Sequence, residues 1–213
     1  MKVGFIVECG PQGAETKVIP HLASLIAPDA ELAVPVTLDD KDKLRRDCGK
    51  WAKALLDQGC TRVLIVWDLM PDWGEYEGRG CRHDDKEQIA ASLKGAGLQP
   101  NDSRVRLVCI EKMLEAWLLA DERALSAFLQ TAAHPVRIPK RKQTETVKDP
   151  KSALNTLFDQ SASRYRRYVD REHAIMIVKL LPDLSRLRKC ATFCRFENLL
   201  KSCGSLPCPK TTD

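Results

Sequence analysis

Short apolar runs and longer stretches with helical spacing alternate along the first 130 residues. The apolar runs have the length of strands and lie at residues 2–8, 31–36, 61–67 and 104–110. Apolar positions recur every three to four residues over 14–27, 39–58, 84–96, 112–119 and 121–130, which predicts helices. The run 61–67 is apolar nearly throughout, as is typical of a central parallel strand covered on both faces.

The order of these elements determines the expected fold. Helices between successive strands act as crossover connections, which are right-handed and give parallel pairing. We therefore expect residues 1–130 to form an α/β core with a small, mainly parallel four-stranded sheet and helices on both faces. A basic, proline-containing linker or mobile loop at 135–146 follows, and helical spacing returns over 150–159, 171–181 and 190–201. Residues 131–213 are therefore expected to form a basic, mainly helical C-terminal region.

The composition is that of a folded, soluble protein. The 213 residues are 44% hydrophobic and 30% charged, and no apolar run approaches the roughly 18 residues that cross a bilayer. The carboxylate of Glu8 comes too early for a signal peptide, so we expect a cytoplasmic protein without membrane contact. The nine cysteines are an odd number and are scattered, which favours reduced thiols over disulfides or a zinc site.

Charge is distributed unevenly between the two regions. Residues 1–130 carry 17 Lys and Arg against 21 Asp and Glu, whereas residues 131–213 carry 17 against 8. A basic region indicates a polyanionic partner such as DNA or RNA, although solvated surface charge is the alternative. Tyr165 and Tyr168 are interleaved with some of the candidate backbone-binding residues, which are Lys140, Arg141, Lys142, Arg164, Arg166 and Arg167.

Carboxylates follow three of the four predicted strands. Because parallel strands end at the same edge of a sheet, these side chains are expected to converge there. Clustered carboxylates repel one another unless a hard cation compensates them, so the pattern predicts a Mg²⁺ or Mn²⁺ site. The residues are Glu8 after the first strand, Asp68 with Asp72 and Glu75 after the third, and Glu111 and Glu115 after the fourth.

Each carboxylate also has a simpler explanation. Glu8 could cap the next helix, Asp68 could initiate a turn, and Glu111 and Glu115 could pair with basic side chains or solvent. We expect Asp84, Asp85 and Glu87 to face water or cap a helix. The sequence contains neither a Walker loop nor a GxGxxG motif, which disfavours nucleotide cradling.

Four segments resemble a bacterial Toprim-like family of unknown function. They read VECG at 7–10, VLIVWD at 63–68, IEKMLEAWLLAD at 110–121 and LRKCATFCRF at 187–196. The resemblance implies the Toprim fold of topoisomerases, primases and nucleases of the overcoming-lysogenization-defect type. It maps Glu8 onto an acid/base glutamate and Asp68 onto the first acid of a Mg²⁺-binding Asp-x-Asp. The second acid is replaced by Met70.

Together these features predict a Mg²⁺-dependent nuclease in which Glu8, Asp68 and Glu115 are catalytic. Relatives of the Toprim-like family often accompany ATPases in bacterial antiphage systems, so the resemblance implies a defence effector with a partner ATPase. Because Met70 breaks the Asp-x-Asp pair, the alternative is a catalytically silent module that binds nucleic acid or the ATPase. A third option is a hydrolase or phosphotransferase of small nucleotides. A homo-oligomer is compatible with the sequence.

Overall fold

The computed structural model describes residues 1–70, 82–161 and 165–201. Its sheet contains β1 (Lys2–Val7), β2 (Glu31–Leu32), β3 (Val36–Thr37), β4 (Arg62–Asp68) and β5 (Val105–Ile110). The strands run in the order β2–β1–β4–β5, and β3 also pairs with β1. Every pair of neighbouring strands is parallel. The predicted parallel α/β architecture is therefore confirmed.

The expected helices are present on both sides of residue 130. Two short 3₁₀ turns, Thr144–Thr146 and Leu187–Lys189, accompany them. No helix in the described part of the chain is long and apolar enough to cross a membrane. The α-helices are α1 (Glu15–Ile26), α2 (Lys41–Asp57), α3 (Arg82–Gly95), α4 (Glu115–Leu118), α5 (Glu122–Leu129), α6 (Pro150–Gln160), α7 (Asp170–Val178) and α8 (Ala191–Lys201).

Two hydrophobic clusters cover the two faces of the sheet. Alternate residues of β1 point in opposite directions, so Phe5 enters one cluster and Ile6 the other. The Phe5 cluster contains α1 and the helices of the C-terminal region, while the Ile6 cluster contains α2 and α3. Helices on both faces and a helical C-terminal region are thus confirmed.

The predicted second strand is interrupted, so the sheet has five strands instead of four. Only two residues at each end of this stretch pair with β1, as β2 and β3. Pro35 lies between them and has no backbone N–H to donate to a ladder, which explains the break. Val34 beside it is 86% exposed.

The C-terminal region is anchored directly to the sheet. Arg62, at the start of β4, donates from its guanidinium to the carbonyl oxygens of Leu199 and Leu200 at the end of α8, at 2.7 and 2.6 Å. The predicted linker is also packed, since Ile138 is buried in the Phe5 cluster and its N–H donates to Ser126 Oγ at 3.0 Å. One hydrophobic cluster therefore includes side chains from both sides of residue 130, and the boundary there stays a prediction.

Candidate functional site

The direction of the strand connections reverses between β1 and β4. α1 connects β1 to β2, which lies on one side of β1 in the sheet. α2 then connects β3 to β4, which lies on the other side of β1. In open parallel sheets ligands bind beyond the carboxyl ends of the strands at such a reversal. Glu8 follows β1, and Asp68 is the last residue of β4. Two of the predicted carboxylates thus stand at the topological switch point.

Glu8 and Asp68 are in direct contact. The backbone N–H of Asp68 donates to Glu8 Oε2 at 3.2 Å, and the N–H of Leu114 donates to Asp68 Oδ2 at 3.2 Å. Asp68 is only 8% exposed, and its Oδ1 is buried without a hydrogen-bond partner among the described residues. A buried carboxylate oxygen without a partner is costly, so this atom marks a position where a ligand would be favourable.

The carboxylates of the site disfavour each other's charge. The pKa of Glu8 is raised from 4.5 to about 8, mainly by burial and also by the charge of Glu15, against the lowering effect of Lys41. The pKa of Asp68 is raised well above 3.8 by burial and by the charges of Glu8, Glu15 and Glu115. Burial also raises the pKa of Glu115 from 4.5 to about 7. These shifts identify one electrostatically connected cluster, as is common at functional sites.

Glu115 approaches the cluster from α4 and is enclosed by the C-terminal region. It is 6% exposed and lies beside the hydroxyl of Tyr168, whose pKa is raised by burial and by the charge of Glu115. Lys151 forms an ion pair with Asp170 at 2.8 Å, and its charge lowers the pKa of Glu115. Side chains from both regions of the chain therefore surround Glu115.

Lys41 provides a buried positive charge near Glu8. It is the first residue of α2 and is 7% exposed. Its Nζ donates to the carbonyl oxygen of Leu69 at 2.9 Å, and its charge lowers the pKa of Glu8. Lys41 was not predicted as a site residue, because a lysine at the start of an amphipathic helix is ordinarily solvated.

Backbone strain is concentrated beside this edge of the sheet. Asp39 and Lys112 adopt left-handed conformations, with φ of 64° and 66°. Asp39 N–H donates to the Cys9 carbonyl at 3.2 Å, and the Lys112 carbonyl accepts from Met70 N–H at 2.7 Å. Non-glycine residues are rare in this conformation and cluster at binding sites.

Several predicted site residues are not joined to the cluster. Glu111 forms an ion pair with Arg82 instead of meeting Asp68. Asp72, Glu75 and Arg164 lie outside the described residues. Of the four carboxylates predicted at the ends of β1, β4 and β5 within the described residues, the structure brings Glu8 and Asp68 into contact. Glu115 and Glu15 are near enough for their charges to raise the pKa of Asp68.

Asp85 corrects a sequence-based expectation. The prediction that it faces water or caps a helix is wrong, because it is completely buried. Its carboxylate accepts from Arg45 Nε at 2.8 Å and from Trp67 Nε1 at 2.8 Å. Asp85 therefore links α2, α3 and β4 immediately before Asp68, and its charge contributes to the raised pKa of Glu8.

The basic residues predicted to bind nucleic acid are mostly exposed, whereas the tyrosines predicted to act with them are not. Lys140, Lys142, Arg166 and Arg167 are exposed and Arg141 is half-buried. Tyr168 is buried, and Tyr165 stacks on Phe128 with ring centroids 5.1 Å apart. The tyrosines are therefore part of an internal aromatic group and do not present free faces for stacking on bases.

The EAWLLAD segment combines a site residue with structural ones. Trp117 packs edge-on against Phe193 at 5.2 Å and donates from Nε1 to Thr192 Oγ1 at 2.9 Å, which ties α4 to the start of α8. Asp121 caps α5 by accepting from the N–H groups of Arg123 and Ala124. Two of the segments that carry the family resemblance are therefore in contact.

The donor set suits a hard divalent cation, although it is not a complete cage. No group of three or more His, Cys, Asp or Glu side chains in residues 1–70, 82–161 and 165–201 is spaced to hold a metal ion. Mg²⁺, however, is commonly held by one or two carboxylates together with water and substrate phosphates. Glu8 and Asp68, with the unpartnered Oδ1, fit that pattern.

Comparison with known proteins identifies a family without assigning an activity. The family model described as Domain of unknown function (DUF4276) matches residues 12–201, so the chain belongs to that family. No curated protein and no solved structure matches significantly.

Proposed function

We propose that this protein is a Toprim-like, metal-dependent phosphodiesterase that cleaves DNA or RNA at the switch point between β1 and β4. The observation that carries the proposal is the buried, unpartnered Oδ1 of Asp68 beside Glu8, within a cluster of carboxylates whose pKa values are raised. Carboxylates kept together at such a cost are best explained by a cation that compensates them.

The chain's own residues would divide the chemistry between them. Glu8 and Asp68 would hold the cation, and Glu115 would act as an acid/base group beside them. A bound Mg²⁺ or Mn²⁺ supplies Lewis acidity and an activated water. Glu115, with a pKa of about 7, is suited to accept or donate a proton near neutral pH. Lys41 would neutralise developing charge on the phosphate, and the exposed basic residues of the C-terminal region would hold the backbone.

Cleavage of plasmid DNA or transfer RNA in Mg²⁺ or Mn²⁺ tests the assignment. Glu8→Gln and Asp68→Asn preserve side-chain shape and remove the charge, so each is expected to reduce cleavage on the order of 100-fold or more. Asp29→Asn is the matched control, because Asp29 is exposed. Cleavage that survives both site substitutions would refute the proposed site.

Lys41 gives a second test of the same chemistry. Lys41→Met should lower cleavage on the order of 100-fold, because it removes a buried charge next to the site. Lys43→Met is the control, since Lys43 lies on the same helix but is exposed and pairs with Asp39 at 3.0 Å. If the two variants cleave equally well, Lys41 has no role in the reaction.

A second candidate function is a catalytically silent module that binds nucleic acid or a partner ATPase. Met70 in place of the second acid, and the lack of a three-donor metal group among the described residues, favour it. Calorimetric titration with Mg²⁺ and Mn²⁺ separates the two, because the silent module binds neither. For either function we propose a cytoplasmic role in bacterial antiphage defence, on the resemblance alone.

A further inference from the structure

Two segments of the C-terminal region start at the same turn of α5. The first begins at Ile138, whose N–H donates to Ser126 Oγ at 3.0 Å. The second begins at Arg186, whose guanidinium forms an ion pair with Glu122 at 2.8 Å. The Glu122 carbonyl oxygen accepts from the same Ser126 Oγ at 2.6 Å, so the two starting points are adjacent.

The two segments meet again at their other ends. Thr144 Oγ1 lies 3.4 Å from Cys190 Sγ, and both side chains are buried. Because the segments are joined at both ends, residues 138–144 are held alongside residues 186–190.

This arrangement brings three exposed lysines of the two segments together. We call them the basic patch: Lys140, Lys142 and Lys189. None of them forms an ion pair within the described part of the chain, and the nearby acids Glu122 and Glu197 already pair with Arg186 and Arg188. The charge of Lys140 also contributes to lowering the pKa of Lys189, as expected for like charges at close range. The basic patch therefore carries positive charge without a compensating acid.

The basic patch lies at the same edge of the sheet as Glu8 and Asp68. α8 begins directly after it, and Thr192 in the first turn of α8 accepts from Trp117 Nε1 of α4 at 2.9 Å. α4 follows the carboxyl end of β5, whereas the other end of α8 contacts Arg62 at the start of β4. α8 thus runs from the carboxyl edge of the sheet to its amino edge, and the basic patch stands at the carboxyl edge.

We propose that the basic patch binds the phosphodiester backbone of a nucleic-acid strand whose scissile linkage lies at Glu8 and Asp68. The inference rests on the proposed function and adds Lys189, which the sequence did not indicate. Lysines that neutralise phosphates release the counterions condensed on the nucleic acid, which favours binding. The contacts of both segments with α5 and with each other hold the lysines in place before the strand arrives.

Fluorescence anisotropy of labelled single-stranded DNA and RNA oligonucleotides, titrated with the full chain in a chelator, tests this role without cleavage. The double variant Lys140→Gln with Lys189→Gln should weaken binding about 10-fold or more at about 0.1 M salt. It should also reduce the slope of log affinity against log salt concentration by about 1 to 2. The charge-preserving variant Lys140→Arg with Lys189→Arg should bind like the wild type.

The matched control is Lys50→Gln with Lys53→Gln. It removes the same net charge from two exposed side chains of α2, which packs on the other face of the sheet. Its affinity and salt slope should stay close to those of the wild type. An equal loss of affinity in the control would show that only net charge matters, which overturns the inference.

The remaining outcomes separate this inference from the proposed function. If the wild type binds an oligonucleotide and the glutamine variant binds it equally well, the inference is wrong and the proposed function stands. Binding that depends on the basic patch but is not followed by cleavage in Mg²⁺ or Mn²⁺ would support the inference and refute the phosphodiesterase. Failure of the wild type to bind either oligonucleotide would refute both, and binding to phosphatidylserine vesicles in that case would assign the basic patch to a membrane surface.

Discussion

Without divalent cations, the free energy of unfolding should fall as the pH rises from about 5 to about 8. The pKa of Glu8 is about 8 in the folded chain, against an ordinary value of 4.5, and the pKa of Glu115 is about 7. At a pH between the ordinary pKa of each group and its pKa in the folded chain, the folded state binds more protons than the unfolded state. The free energy of unfolding therefore decreases as the pH rises through this range. Asp68 shifts in the same direction. The expected loss is about 3–5 kcal/mol.

Two histidines have the opposite effect on the free energy of unfolding in the lower part of this pH range. Burial lowers the pKa of His21 and of His173, so their contribution to stability is lost as the pH falls through the range near 6.5. Above pH 7 both are largely neutral in either state, and the slope there reports the carboxylates together with buried thiols such as Cys9 and Cys48, whose pKa values burial raises. Urea unfolding of the wild type and of Glu8→Gln in a chelator between pH 7 and 8.5 therefore isolates the contribution of Glu8.

Glu8→Gln is the control for this titration. The glutamine cannot ionise, so the slope above pH 7 should become flatter. Added Mn²⁺ should also reduce the slope in the wild type, because a cation that binds the charged carboxylates stabilises the folded state more at high pH. A slope that is unaffected by Glu8→Gln would mean that Glu8 is solvated and ordinary in the folded protein.

The architecture could be predicted from sequence because its signals are local. Each core strand is an apolar run, and several helices have a clear capping residue, such as Asp40 at the start of α2 and Asp149 at the start of α6. The meeting of Glu8 with Asp68 also follows from a local pattern, since both stand at the carboxyl ends of strands that prove to be parallel neighbours. The strand order, and hence the switch point, was not available from periodicity.

The sequence did not predict the polar residues that become buried when the helices pack together. Lys41, Tyr168 and Asp85 lie in stretches whose polar character suggests solvent, and only the packing of α2, α3 and α6 buries them. The sequence also did not show that Glu111 and Glu115 have different surroundings. The spacing suggested one helix, but α4 begins only at Glu115, and the left-handed Lys112 separates the two side chains.

Gly49→Ala should destabilise the protein by about 3 kcal/mol, despite the higher helix propensity of alanine. Gly49 lies in the middle of α2 where that helix touches α3. A Cβ there would be 2.1 Å from the Ser92 carbonyl oxygen and 2.7 Å from the Leu93 nitrogen. Both atoms are backbone and cannot rotate away, so the two helices must separate.

The existing contact at Gly49 shows how closely the helices meet. The Gly49 N–H donates to Ser92 Oγ at 3.0 Å, and that hydroxyl donates to the Arg46 carbonyl at 2.8 Å. Separating α2 from α3 would also disturb the buried pair of Arg45 and Asp85, which bridges the same helices. The damage should therefore extend to the site, because α2 carries Lys41.

Gly95→Ala is the matched control, because Gly95 ends α3 and a Cβ there would meet nothing within 4 Å. It should raise stability by about 0.5 kcal/mol, whereas Gly49→Ala should lower the melting temperature by about 6–12 °C. Thermal unfolding of both variants in a chelator measures the difference without any contribution from bound cations. Equal stability of the two would show that α2 and α3 do not touch at Gly49. The contact between α2 and α3 would then not hold Lys41 at the site.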